Sequence, residues 1–222
     1  AGEPADGGTL KCLATVEELP ADGLDVVVDF TVPNAVRANL EWCARSGVHA
    51  VVGTTGLTAA DLADLGELFA PERGVGCLVA PNFAIGAVLL TRFAELAAPW
   101  FETAEIVELH HDAKVDAPSG TSLLIAERMA AASPTWGADP TTRLRVEGAR
   151  GAAGPSGLRI HSLRLAGAVA HHEVILGSTG QTLTLRHDSL DRASFVPGVL
   201  LAVKAVPGLP GLTVGIEALL GL

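Results

Sequence analysis

The chain has 222 residues, 49% of them hydrophobic, with a formal net charge of -10 and pI ≈ 5.1. That length supports one large domain or two small ones with ample core, and the acidic balance argues against a nucleic-acid backbone as partner. No apolar run is long enough to cross a bilayer, so no membrane partner is expected, and the three scattered cysteines Cys12, Cys43 and Cys77 suit a reducing cytoplasm and read as small buried hydrophobes.

Residues 1–23 carry Gly2, Gly7, Gly8 and Gly23 among prolines and acids, a loop pattern with one helical turn over 15–19. Residues 24–30 form a short valine-rich run, the mark of a buried parallel strand. Thr31 and Pro33 open a helix whose apolar face is Val36, Leu40 and Cys43, and Gly47 ends it. Residues 48–52 are the next strand, followed by Gly53-Thr54-Thr55-Gly56, after which Thr58 caps a helix carrying Leu62, Leu65 and Phe69. A third strand over 76–80 runs into Pro81-Asn82-Phe83. Leu89, Phe93, Leu96 and Trp100 then mark a longer helix with one apolar stripe. Such alternation predicts a parallel sheet with helices on its faces.

Past residue 104 the grammar changes. Residues 108–121 crowd Glu108, His110, His111, Asp112, Lys114 and Asp116 ahead of Pro118-Ser119-Gly120-Thr121. An alanine-rich helix over 123–132 follows, then Ser133-Pro134, a loop through Pro140 and an irregular glycine-rich stretch over 141–160. Three strand-like runs, 158–165, 169–176 and 181–186, are joined by the short links that connect antiparallel strands. Asp188 is expected to cap a last helix through Leu190, Phe195, Val199, Val203 and Val206. The fold class is therefore α/β: an incomplete Rossmann-like parallel-sheet domain plus an α+β domain with a mixed or antiparallel sheet. The boundaries fall at 1–84 with 192–222 for the first and 85–191 for the second.

Three loops close parallel strands on their carboxyl side, the edge at which open α/β sheets bind ligands. They are Phe30-Thr31, Gly53-Thr54-Thr55 and Ala80-Pro81-Asn82-Phe83. Glycine and small hydroxyls admit a nucleotide closely, and Asn82 can pair with an amide; ordinary strand-to-helix turns would look the same. Adjacent His110 and His111 face opposite ways on a strand, so both serve one site only where the strand ends. Ser119 or a neighbour caps the following helix, which leaves the N–H groups of Gly120 and Thr121 for a carboxylate or phosphate. Lys114 and a histidine facing an anion would be held charged, as acid catalysts near neutral pH. No third soft ligand stands at a familiar zinc spacing, and no metal is expected. Downstream, His161, Arg164, Arg186, His171, His172, Glu173 and His187 read by default as a solvated or subunit-facing sheet surface.

Residues 105–123, EIVELHHDAKVDAPSGTSL, resemble the signature of the 4-hydroxy-tetrahydrodipicolinate reductase family of bacterial lysine and diaminopimelate synthesis. Val28-Asp29-Phe30-Thr31, Val52-Gly53-Thr54-Thr55-Gly56, Ala80-Pro81-Asn82-Phe83 and Arg186-His187-Asp188-Ser189-Leu190-Asp191-Arg192 resemble further family segments in family order. The resemblance implies NADH or NADPH as cofactor, contacted by Phe30, Thr31, Gly53, Thr54, Thr55, Ala80, Pro81, Asn82 and Phe83. It implies His110 as proton donor or acceptor, Lys114 as second proton donor, His111 as a substrate contact, and Gly120 with Thr121 as the grip on a carboxylate of a small dicarboxylate substrate. It further implies a cytoplasmic homotetramer assembled through the second domain.

The family opens with a strand, a Gly-x-x-Gly-x-x-Gly turn and a helix, and Gly7-Gly8 does not match that turn. The expectation is a shortened chain that keeps the substrate residues and part of the cofactor residues. A catalytically silent dicarboxylate-binding or assembly protein of the same fold is the alternative. A third reading, an aspartate-semialdehyde or dihydrodiol type of dehydrogenase, lacks a cysteine nucleophile in a suitable motif.

Overall fold

β-branched runs build the first sheet of the computed structural model, which describes residues 12–222; the loop reading of Gly2, Gly7 and Gly8 lies outside the described residues. β1 (Val26–Asp29), β2 (His49–Val52) and β3 (Gly76–Val79) pair in parallel in that order. α1 (Pro33–Ser46) and α2 (Ala59–Leu68) make the crossovers that parallel pairing requires. Pro33 stands in the first turn of α1, and Gly47 ends that helix at φ 72°, a left-handed position that glycine adopts without strain. Thr58 and Asp61 close a reciprocal cap on α2. Val36, Leu40 and Cys43 of α1 and Leu65 of α2 pack against Ala50, Val52, Cys77 and Val79 in one buried cluster. Burial pushes the Cys43 thiol up to about 11 and that of Cys77 to about 12, so both are inert. Cys12, expected to be buried, is exposed, since it precedes the first element of the unit.

The second unit rests on a mixed sheet. Its strands are β4 (Thr103–His110), β5 (Ala152–Ala153), β6 (Arg159–Arg164), β7 (Ala170–Ser178) and β8 (Gln181–Ser189), in the order β5-β6-β4-β7-β8. β7 and β8 form the expected antiparallel hairpin across Gly180 at φ 81°. β6 and β7 are not neighbours. β4 lies between them, parallel to β6 and antiparallel to β7, so its buried inner face has both edges paired. α3 (Ile85–Ala97) and α4 (Gly120–Ala132) cover one face, where Leu90, Ala94, Ile125, Ala126 and Met129 meet Ile106, Ile160, Val174 and Leu176.

Two expectations fail here for physical reasons. The stripe Leu89, Phe93, Leu96 and Trp100 lies on the outer side of α3 and the turn after it, and Trp100 is 80% exposed. Ala87, Thr91 and Ala94 face inward instead, because small residues let α3 approach α4 closely. The cap of the last helical segment is Asp191, whose carboxylate accepts from Ala193 N–H at 2.7 Å; β8 runs on to Ser189 and retains Asp188 in the sheet. α5 (Val196–Ala205) follows. β9 (Gly211–Val214) then adds a fourth parallel strand beside β3; its Gly-Leu-Thr-Val lacks the unbroken valine-rich run that marks β1. The compact units are Ala1–Ala80 with Ala202–Val214, and Pro81–Leu201 with Gly215–Leu222.

Candidate active site

Alternation along β4 puts Ile106, Glu108 and His110 on the face that the helices cover. The registers extend each into a row across four strands. Ile160, Ile106, Val174 and Leu185 form an apolar row; Ser162, Glu108, His172 and His187 form the next; Arg164, His110, Ala170 and Ser189 form the last. The core therefore gives way to ionisable groups toward the carboxyl end of β4. This corrects the expected surface position of Arg164, His172 and His187, which the registers turn inward; His161, His171, Glu173 and Arg186 do lie on the outer face.

Glu108 is fully buried and accepts from both terminal nitrogens of Arg164 at 3.0 Å, while His110 Nδ1 contacts its Oε2. Arg164 also donates to the carbonyls of Leu163 at 2.7 Å and Asp116 at 2.6 Å, which ties the loop after β4 to β6. Burial pushes the Glu108 carboxyl up, but hydrogen bonds from Arg164, Ser162 and His110 outweigh it and hold the group below the usual carboxylate range. An ionised Glu108 accepts a hydrogen bond from Nδ1–H of His110 and leaves Nε2 as the nitrogen for proton exchange. Burial lowers the proton affinity of His110, Glu108 opposes that, and the charges of Lys114 and Arg164 add to it; the net shift is downward. Behind His110 stands His172, edge-on with ring centroids 5.4 Å apart at 78°.

β4 ends at His110, so the chain is free to turn there. His111 is exposed and its carbonyl accepts from Lys114 N–H at 3.1 Å. Lys114 Nζ holds both oxygens of Asp116, at 2.7 and 2.8 Å. After a cis Ala117–Pro118 peptide, extended Ser119 caps α4 by accepting Ser122 N–H at 3.2 Å. The N–H groups of Gly120 and Thr121, at the positive end of α4, have no acceptor among the described residues. The Thr121 hydroxyl accepts from Asn82 Nδ2 at 3.3 Å, and Asn82 Oδ1 accepts from Ala84 N–H at 2.8 Å. One unit thus gathers His110, His111, Lys114, Gly120, Thr121 and Asn82.

The candidates in the first unit are organised by Asp29, a residue that sequence reasoning quoted without giving it a role. Its buried carboxylate accepts from Thr31 N–H at 2.9 Å, Thr31 Oγ1 at 2.7 Å, Asn39 Nδ2 at 2.7 Å and Thr54 Oγ1 at 2.9 Å. Burial acts to raise its proton affinity, and these four hydrogen bonds win, leaving it lowered. The hydroxyls of Thr31 and Thr54 are therefore spent on bracing the loops, while Thr55 is exposed and Phe30 is 55% exposed. A Cβ at Gly53 would displace the Phe30 ring from its present position; a bare backbone beside a flat, exposed ring fits a nucleotide. Ala80 is buried and its N–H pairs with Val52 O at 3.0 Å. Pro81 is exposed, and the ring of Phe83 is buried.

Sequence reasoning missed Glu108, Arg164, His172 and Ser119 as one network. The period of two along 106–110 is a signal for Glu108, since it places that residue on the side of His110. The cap pattern marks Ser119 for α4, and nothing local marks Arg164 as a partner of Glu108 or His172 as a partner of Ser119.

A parallel α/β sheet with ligand-ready strand ends, together with a second, mixed sheet carrying an imidazole near a helix N-terminus, defines a Rossmann-like α/β protein of two units. Two family models match, one described as dihydrodipicolinate reductase, N-terminus, over residues 5–83 and one as its C-terminus over residues 86–220. The 4-hydroxy-tetrahydrodipicolinate reductase of Cutibacterium acnes is 53% identical over 205 residues, 91% of this chain and 83% of that protein. That of Thermobifida fusca is 54% identical over 202 residues, 89% of this chain and 82% of that protein. The dipicolinate-bound dihydrodipicolinate reductase from Paenisporosarcina sp. TG-14 superposes with a TM-score of 0.77 at 44% identity, covering 87% of this chain and 73% of that one. This chain belongs to the dihydrodipicolinate reductase family.

Proposed function

We propose that the chain reduces 4-hydroxy-tetrahydrodipicolinate to tetrahydrodipicolinate with NADH or NADPH, in lysine and diaminopimelate synthesis, with His110 exchanging the proton and Lys114 as second proton donor. The observation that carries this is the buried Glu108–Arg164 pair holding His110 Nδ1 at the end of β4, in the unit where α4 opens with two unpartnered N–H groups. Those groups, on Gly120 and Thr121, take one substrate carboxylate, and His111 meets the dicarboxylate beside them. A bound dianion reverses the effect of burial on His110 and draws a proton onto it. Lys114 exchanges Asp116 for the substrate at small cost, because Asp116 is exposed and a solvated ion pair contributes only about 0–1 kcal/mol.

The nicotinamide, when bound, supplies the hydride. Phe30, Thr31, Gly53, Thr54, Thr55 and Ala80 hold the cofactor, with Pro81, Asn82 and Phe83 continuing that segment; Asp29 braces the first two loops. Residues 1–84 and 192–222 serve the dinucleotide, and 85–191 serve substrate and assembly. The outer face of the mixed sheet mixes Val107, Leu163 and Ile175 with the pairs Arg186–Glu173 and His171–Asp188, a surface suited to a second copy in a homotetramer. Two buried cysteines held as inert thiols accord with a cytoplasmic location.

The test is nicotinamide oxidation on freshly generated substrate, beside titrations with a dinucleotide and with dipicolinate. His110→Ala and Lys114→Ala are each expected to lower kcat by about 10²–10⁴; unchanged rates would remove the assigned roles. Dipicolinate binding without dinucleotide binding would favour a silent dicarboxylate-binding protein.

A further inference from the structure

We infer that His172 is a positioning residue that ties the imidazole of His110 to the carboxylate-binding start of α4; this rests on the reading of those two features above. His172 stands opposite Glu108 in the β4–β7 register, one row from the apolar core and one row from His110. It is 3% exposed, and its inward-facing neighbours along β7 are the apolar Val174 and Leu176, so packing alone gives no reason for a polar ring here. Nε2 lies 3.1 Å from Ser119 Oγ, while Nδ1 is buried without a partner among the described residues. Ser119 Oγ is also the atom that accepts Ser122 N–H at 3.2 Å, and it lies 2.9 Å from Ser122 Oγ. One ring therefore touches the imidazole that exchanges the proton and the cap that sets the direction of the Gly120 and Thr121 N–H groups.

The ring makes these contacts from a buried position among ionisable groups. The ionisable groups around it are His110 and Glu108 on β4, His171 on its own strand and His187 on β8; those around His110 are Glu108, Lys114 and Arg164. Burial, then the charge of His110, pushes His172 down to about 4, so an imidazolium formed at His110 meets no second charge behind it. The ring also keeps water from the back of His110, sustaining the burial that lowers its proton affinity.

The experiment uses the full chain and the variants His172→Ala and His172→Gln, with His110→Ala as control. It reads the His110 midpoint by NMR titration, the dipicolinate Kd, the pH profile of kcat/KM, and Tm. His172→Ala is expected to raise the His110 midpoint toward the ordinary histidine value of about 6.5. It should also weaken dipicolinate binding about fivefold, the equivalent of one neutral hydrogen bond. His172→Gln retains a group that can bond Ser119 and much of the ring's bulk, so it is expected to keep dipicolinate affinity within about twofold and to leave the His110 midpoint close to that of the unaltered chain. A folded His172→Ala with the His110 midpoint and the dipicolinate Kd both unmoved overturns the inference; where that variant fails to fold, a glutamine variant that loses dipicolinate affinity about fivefold or more despite its bond to Ser119 overturns it. Wild-type turnover in His110→Ala would overturn the proton-exchange reading instead, leaving the affinity and midpoint data to judge His172 separately.

Discussion

Asp29 in the first unit and Glu108 in the second are both buried, ionised carboxylates, and their partners differ in kind. Asp29 accepts only from neutral groups, two hydroxyls, an amide side chain and a backbone N–H. Glu108 accepts from a guanidinium and an imidazole. None of the donors to Asp29 can change charge near neutral pH, so the carboxylate acts as a rigid pin for the Phe30-Thr31 and Gly53-Thr54 loops. A partner of Glu108 can change charge, so it both orients His110 and feels every proton that ring takes up. A nucleotide needs loops that do not move; proton transfer needs a carboxylate that answers to its partner.

Several substitutions would sharpen or break that contrast. Removing the charge-coupled carboxylate should cost most: Glu108→Ala leaves Arg164 without its counter-ion and is expected to destabilise the fold by about 3–5 kcal/mol in denaturant titration. A loss below about 1 kcal/mol would place the pair in the solvated class instead. Next comes acid sensitivity of the second unit. His172 moves from 6.5 to about 4 on folding, so the unfolded chain binds more protons between those values and stability rises with pH across that window. Its contribution is complete above pH 6.5 and is lost as the pH falls through about 4; His110, also lowered, acts in the same direction. The loss is on the order of 3 kcal/mol, and His172→Gln should flatten the slope in a pH series of melts. The smallest effect is expected at the neutral pin. Asp29→Asn keeps the shape but turns a donor toward donors, costing about 1–2 kcal/mol and weakening dinucleotide binding, with dipicolinate affinity unchanged. A change in dipicolinate affinity would contradict the separate roles of the two carboxylates.

Much of the scaffold was legible because its signals are local. Pro33, Gly47 and the Thr58 cap act within a few residues of chain, and the structure uses each at the expected place. The end of β4 at His110 was legible too, since Asp112, Lys114 and Asp116 are poor strand residues. The α3 stripe misled because periodicity shows that a helix has two faces without showing which of them a neighbour covers. Close approach to α4 selected the alanine side and left Phe93, Leu96 and Trp100 outside. β9 was silent for another reason: glycine and threonine interrupt its apolar residues Leu212 and Val214, and Pro207 and Pro210 precede it, so nothing local separates it from a loop.

The sequence by itself determined the family, the strand–helix grammar and the chemical inventory of residues 105–123, because each depends on residues near one another in the chain. Only the tertiary structure decided which groups meet. Arg164 reaches Glu108 across 56 residues and His172 reaches Ser119 across 53, and both contacts follow from β4 entering the sheet between β6 and β7. Strand order and register are set by burying whole faces at once, a global balance that no local spacing encodes.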